Sequence, residues 1–184
     1  MLSKRPLING PTILTIIRIL LIAPTMIGIF MDNVPARVIA IACFVLASAT
    51  DFVDGRWARR DKLVTDFGAF LDPLADKMLI NLTFLALVVL NQIPVYAFGI
   101  ILIRDFAVDG LRMIAAKKNI TISASMAGKT KTTIQMITII SFMVNIILNN
   151  VVLLNINYVL LAVTLAFTIY SGLEYLIKGR KLMI

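Results

Sequence analysis

The sequence predicts an all-α, polytopic membrane protein of six transmembrane helices with both termini cytoplasmic. Three observations lead there. Of its 184 residues 60% are hydrophobic and the mean hydropathy is +0.95, whereas soluble domains hold about 45 to 50% apolar residues. The apolar residues form six long runs, each near the roughly 20 residues a helix needs to cross a hydrocarbon core about 30 Å thick. Basic residues gather in alternate connections between the runs, as cytoplasmic loops do.

The runs are 11–31, 34–57, 67–90, 93–116, 126–149 and 152–177. The first follows the basic start MLSKRPLI but is long, carries Arg18 and ends without a small-residue cleavage site, so it reads as a retained span. Residues 1–8 are a candidate interfacial segment. Lys4 and Arg5, then Arg56, Arg59, Arg60 and Lys62, then Lys117, Lys118, Lys129 and Lys131, then Lys178, Arg180 and Lys181 fall on one side, and Arg37 on the other. That side is expected to be the cytosol, and the membrane the bacterial cytoplasmic membrane. Connectors as short as Asp32-Asn33 and Asn91-Gln92 leave no room for a soluble domain, so residues 1–184 are expected to form one membrane domain.

Eighteen Lys and Arg against ten Asp and Glu would suggest nucleic acid in a soluble chain. Here the basic residues mark topology, and no nucleic-acid partner is expected. The lone Cys43 excludes an intramolecular disulfide, and the absence of histidine excludes imidazole catalysis and His-ligated metals. Acid-base or metal chemistry must fall to carboxylates.

A charge at the centre of a spanning helix costs about 2.5 to 3.5 kcal/mol on insertion scales and marks a candidate functional residue. Arg18 lies in the first run, Asp51 and Asp54 late in the second, Asp72, Asp76 and Lys77 early in the third, and Arg104, Asp105, Asp109 and Arg112 late in the fourth. With alternating directions all fall in the cytoplasmic half. An ion path would need polar residues at every depth, but the outer halves are aliphatic, which favours a one-sided cavity over a transporter of divalent cations.

Asp51 and Asp54 are three residues apart and Asp72 and Asp76 four apart, so each pair shares a helix face. Four carboxylates facing each other at low dielectric call for a cation, and a donor set of oxygens alone points to Mg²⁺, Mn²⁺ or Ca²⁺. This need for a cation also weighs against a structural scaffold. Gly55 and Gly68 permit close backbone approach, and Arg59 and Arg60 offer bidentate phosphate contacts. Metal, glycine and arginine together describe a diphosphate site.

The segment Asp51-Phe-Val-Asp54-Gly55-Arg-Trp-Ala58-Arg59, eight residues, then Gly68-Ala-Phe-Leu-Asp72-Pro-Leu-Ala-Asp76 matches D-x-x-D-G-x-x-A-R-x8-G-x-x-x-D-x-x-x-D at every fixed position. A chance match is on the order of 10⁻⁸. By this motif the chain resembles the CDP-alcohol phosphatidyltransferases. The resemblance implies a six-span enzyme, commonly a homodimer, using CDP-diacylglycerol at the cytoplasmic side. It implies that Asp51, Asp54, Asp72 and Asp76 hold two divalent ions, Mg²⁺ or Mn²⁺, with Asp76 also the general base. It further implies that Gly55, Ala58, Arg59 and Gly68 accommodate the CDP-diacylglycerol.

Beyond the signature, Pro11-Thr12-Ile-Leu-Thr15-Ile-Ile-Arg18, Ile103-Arg104-Asp105, Leu111-Arg112 and Gly128-Lys129-Thr130-Lys131-Thr132-Thr133-Ile-Gln135-Met136 resemble the branch that makes phosphatidylglycerophosphate from glycerol 3-phosphate. That branch commonly reads Arg-Glu where this chain has Arg104-Asp105. A dianionic acceptor phosphate needs cations, and Arg112, Lys129 and Lys131 are expected to bind it ahead of Arg104. The lysines have a competing reading as a solvated topogenic loop. A nucleotide-binding loop is ruled out, since G-x4-G-K-[ST] needs glycine where Ser123 stands. Phosphatidylinositol phosphate, phosphatidylserine and cardiolipin synthases share the donor motif and remain alternatives.

Overall fold

The computed structural model describes residues 10–61, 66–118 and 126–183, with side chains left undescribed at 11, 51–70, 178 and 180–183. Among the described residues there are six α-helices: α1 (Gly10–Phe30), α2 (Val34–Asp61), α3 (Asp66–Val89), α4 (Val95–Lys117), α5 (Met126–Leu148) and α6 (Val151–Met183). All six expected helices are present. The second and sixth continue past the expected ends at 57 and 177: Ala58–Asp61 holds neither Gly nor Pro, and the single Gly179 in Lys178–Met183 weakens a helix without ending it. The 1–8 segment lies outside the described residues.

Turns and caps follow from asparagine. Asn33 caps α2 by accepting the Ala36 amide at 2.8 Å, and Asn150 caps α6 by accepting the amides of Val152 and Leu153. Asn91 and Asn149 adopt φ of 55° and 48°, the left-handed conformation that asparagine tolerates. At Asn91 the amides of Asn91 and Gln92 return to the carbonyls of Val88 and Leu87, closing α3 in a Schellman motif. The two-residue link at 149–150 turns α5 back as α6.

Thr12–Phe30, Met126–Leu148 and Val151–Ile177 are long and apolar enough to cross a membrane, and α2 adds the shorter apolar stretch Val34–Thr50. At about 1.5 Å per residue the 33 residues of α6 span about 50 Å, longer than the hydrocarbon core. The burial pattern is that of a membrane protein. On α1 the buried face holds Thr12, Thr15, Arg18 and Thr25, while Ile13, Ile17, Leu20 and Ile27 point outward. Such an arrangement would be costly in water and is favourable in lipid.

The chain divides into two compact units, residues 1–86 and 87–184. In the first, α1 packs closely along α2. A Cβ added at Gly28 would lie 2.5 Å from the Ala36 carbonyl oxygen and 2.9 Å from the Ala40 Cβ. Small residues thus let the two backbones approach, the packing that dispersion favours between helices in lipid. In the second unit α6 packs on both α4 and α5. Thr138 bonds Thr164 at 2.8 Å, and Ser141 and Asn157 bond one another, tying α5 to α6 at two depths. Each such bond contributes about 0.6 to 2 kcal/mol in a membrane.

Candidate active site

The eight-position motif straddles the end of α2 and the start of α3. Asp51, Asp54, Gly55, Ala58 and Arg59 occupy the last three turns of α2, and Gly68 lies in the first turn of α3, all within the stretch of undescribed side chains. Asp72 and Asp76 follow one turn apart on α3, both half-buried. The Thr15 hydroxyl donates to Asp72 Oδ1, and Arg18 Nη1 donates to Asp76 Oδ1 at 2.6 Å. Arg18 Nε reaches Thr50 Oγ1 at 3.5 Å, so one guanidinium touches α2 and α3 together.

Arg18 is fully buried, whereas the Asp76 side chain keeps 36% of its surface exposed. The cation is therefore the enclosed member and the carboxylate the reachable one. Burying an arginine is costly unless it is paired and hydrogen-bonded, and Asp76 and Thr50 supply partners. Two carboxylates fixed on one helix face by donors from a neighbouring helix suit a hard divalent cation, since held oxygen ligands lose little freedom on binding it. Among the described residues no three Asp, Glu, Cys or His side chains gather into one group. Asp51 and Asp54 are outside that set.

The second cluster lies in the 87–184 unit. Asp105 on α4 is buried, and its Oδ1 accepts from Lys131 Nζ on α5 at 2.5 Å and from Arg104 Nη1 at 3.1 Å. Lys131 is 3% exposed, so it is a buried ion-paired residue and not part of a solvated loop. Lys129, two residues earlier, is exposed on the opposite side of the first turns of α5. Gln135, one turn beyond Lys131, is also buried. Among the described residues Arg104 Nε and Gln135 Nε2 are buried donors with no hydrogen-bond partner, the kind of orphaned group that native structures pair with a ligand or ordered water.

Tyr175 on α6 brings the two arginines together. Arg112 Nη2 donates to its hydroxyl at 2.7 Å. The Arg112 and Arg104 guanidinium carbons lie 5.2 and 5.6 Å from its ring centroid, within cation–π range. Of the expected acceptor residues, then, Arg104 meets Lys131 on Asp105 and Arg112 at Tyr175, while Lys129 stands apart.

The sequence marked Arg18 as a candidate functional residue without naming its partner, and gave no specific role to Thr15 or Tyr175. The first two had a visible signal, because Thr12, Thr15 and Arg18 recur at helical spacing on one face of an otherwise aliphatic helix. Tyr175 had none. An aromatic near the end of a span reads as an interfacial anchor.

Paired carboxylates thus lie in one unit and an arginine–lysine cluster in the other, groups suited to a divalent cation and to anions respectively. The family model for CDP-alcohol phosphatidyltransferases matches residues 8–170, and the chain belongs to that family. The expected resemblance is thereby borne out. Members of the family are generally metal-dependent. The chain is similar to a Bacillus subtilis CDP-diacylglycerol–glycerol-3-phosphate 3-phosphatidyltransferase, at 38% identity over 80% of this chain and 77% of the relative. A Rickettsia bellii protein of the same name is 34% identical over 91% and 93%. A Mycobacterium tuberculosis protein named a probable phosphatidylglycerophosphate synthase is 32% identical over 93% and 81%.

Proposed function

We propose that this protein transfers the phosphatidyl group of CDP-diacylglycerol to glycerol 3-phosphate, releasing CMP and forming phosphatidylglycerophosphate for phospholipid biosynthesis. The observation that carries the reading is the complete eight-position donor motif, whose Asp72 and Asp76 are held by buried donors of α1. The acceptor assignment draws on the named relatives and on the cations around Asp105 and Tyr175.

In this reading Asp51, Asp54, Asp72 and Asp76 hold two divalent ions, Mg²⁺ or Mn²⁺. When bound, those ions neutralise the diphosphate and make its phosphorus electrophilic. Gly55, Ala58 and Gly68 leave room for the cytidine diphosphate, and Arg59 binds its phosphate oxygens. Asp76 accepts the proton of the acceptor hydroxyl. The freed oxygen bonds to the phosphatidyl phosphorus, the bond from that phosphorus to the CMP oxygen breaks, and CMP departs with the electron pair. Arg18 fixes one oxygen of Asp76 and so sets the direction of the other. Arg112, Lys131 and Arg104 compensate the acceptor phosphate, with Lys131 acting through its pair with Asp105, and exposed Lys129 attracting anions at longer range.

Six membrane spans, cytoplasmic termini and a cytosol-facing site in the bacterial cytoplasmic membrane are part of the proposal, supported by the alternation of basic connections. One catalytic domain over 1–184 is supported by a family match that runs through both units. A homodimer is carried from the family resemblance. The test is CMP release by purified protein in detergent with CDP-diacylglycerol and Mg²⁺, offered glycerol 3-phosphate, inositol 1-phosphate, serine or phosphatidylglycerol. Release with glycerol 3-phosphate, lost on chelation and restored by Mg²⁺, is expected. Release with another acceptor alone moves the function within the family, and none with any acceptor refutes it.

A further inference from the structure

We infer that Tyr175 is a positioning residue for the acceptor phosphate, holding Arg104 and Arg112 as a paired guanidinium cradle. The inference rests on the proposed use of a phosphorylated acceptor. Tyr175 is 1% exposed, so its ring is fixed by packing and cannot follow a mobile ligand. Its hydroxyl takes one Arg112 donor at 2.7 Å, and its ring lies within cation–π range of both arginines. Two like-charged guanidinium groups repel each other. The electron-rich ring beside both, with Asp105 on Arg104, lowers the cost of holding them near one another before any anion arrives.

The local sequence of α6 is shaped for this. Gly172 precedes Tyr175 by three residues and so shares its helix face. A Cβ at 172 would come within 3.0 Å of Arg104 Cγ, so the glycine leaves the space through which the arginine stem passes. Arg104 Nε is a buried donor without a partner among the described residues, and Arg112 is exposed. One arginine thus keeps an unused donor in the interior while the other remains reachable. Arg104 and Lys131 meet on Asp105, and Arg104 and Arg112 flank Tyr175, three cations of the kind a phosphate dianion takes. Donors oriented before the ligand arrives lower the entropic cost of binding.

Two variants test it in the purified, full-length enzyme by steady-state kinetics in both substrates. Tyr175→Phe keeps the ring and its packing and removes only the hydroxyl. It is expected to raise the KM for glycerol 3-phosphate about three- to tenfold, with kcat and the KM for CDP-diacylglycerol within about twofold of wild type. Tyr175→Leu loses the ring as well and is expected to raise the acceptor KM further, with phenylalanine as the partial rescue. An unchanged acceptor KM in Tyr175→Phe, or equal rises in both KM values, overturns the inference while the glycerol 3-phosphate reading survives. If wild type instead uses only serine, an acceptor without phosphate, both fall together.

Discussion

The 1–86 unit and the 87–184 unit were unequally legible from sequence, and in opposite ways. In the 1–86 unit the motif gives the acids Asp51, Asp54, Asp72 and Asp76 at once, because carboxylates paired on helix faces inside a membrane are tolerated only beside a compensating cation. What it omits is the donor set: Arg18 and Thr15 come from a helix more than 50 residues earlier. In the 87–184 unit the basic residues were visible but their ranking was not. Lys129 and Lys131 look alike in the sequence. In the structure one is exposed and the other is buried on Asp105, since two residues along a helix rotate a side chain by about 200°.

The contrast reflects what charges among apolar helices need. An acid cluster can wait for a soluble cation, so its sequence signature is self-contained. A cluster of cations is held by the protein's own groups, Asp105 and Tyr175 here, and those partners are dispersed over α4 and α6. The short carboxylate of Asp105 reaches both Lys131 and Arg104.

The largest effect is expected at Asp76. Asp76→Asn is expected to lower CMP release by about 10³-fold or more while the protein remains folded and membrane-inserted, in line with loss of a general base. Arg18→Leu removes the buried partner and is expected to lower the rate about 10- to 100-fold and also the melting temperature in detergent, with Arg18→Lys less affected in both. A fully active Arg18→Leu would show that Asp76 needs no fixing.

Smaller effects sharpen the picture. Gly28→Val forces α1 away from the Ala36 carbonyl and is expected to cost about 1 to 3 kcal/mol of stability, measured as denaturant resistance in micelles. In the second unit Arg112→Ala is expected to raise the acceptor KM roughly tenfold with little change for CDP-diacylglycerol. Lys129→Ala should change either KM by no more than about threefold, and a larger effect would restore the parity that the sequence assigned to the two lysines.

The helices themselves were read nearly to the residue, because apolar runs punctuated by Asp32-Asn33, Asn91-Gln92 and the break between 149 and 152 leave little freedom in where each begins and ends. Only the polar extensions of α2 and α6 were missed, since hydropathy reports where a membrane stops and not where a helix does. At the candidate site, residue types and spacing identified the carboxylates, while cross-helix partners depend on rotation and packing that spacing along one chain does not encode.

The most direct test is the rate of CMP release at saturating CDP-diacylglycerol as glycerol 3-phosphate is raised, measured in parallel for wild type, Asp76→Asn and Arg112→Ala. Arg112→Ala is predicted to climb toward the wild-type rate while Asp76→Asn stays inactive at every acceptor concentration. Near-wild-type turnover by Asp76→Asn, or a deficit in Arg112→Ala that acceptor does not relieve, would contradict the division between a catalytic carboxylate and an acceptor-binding arginine.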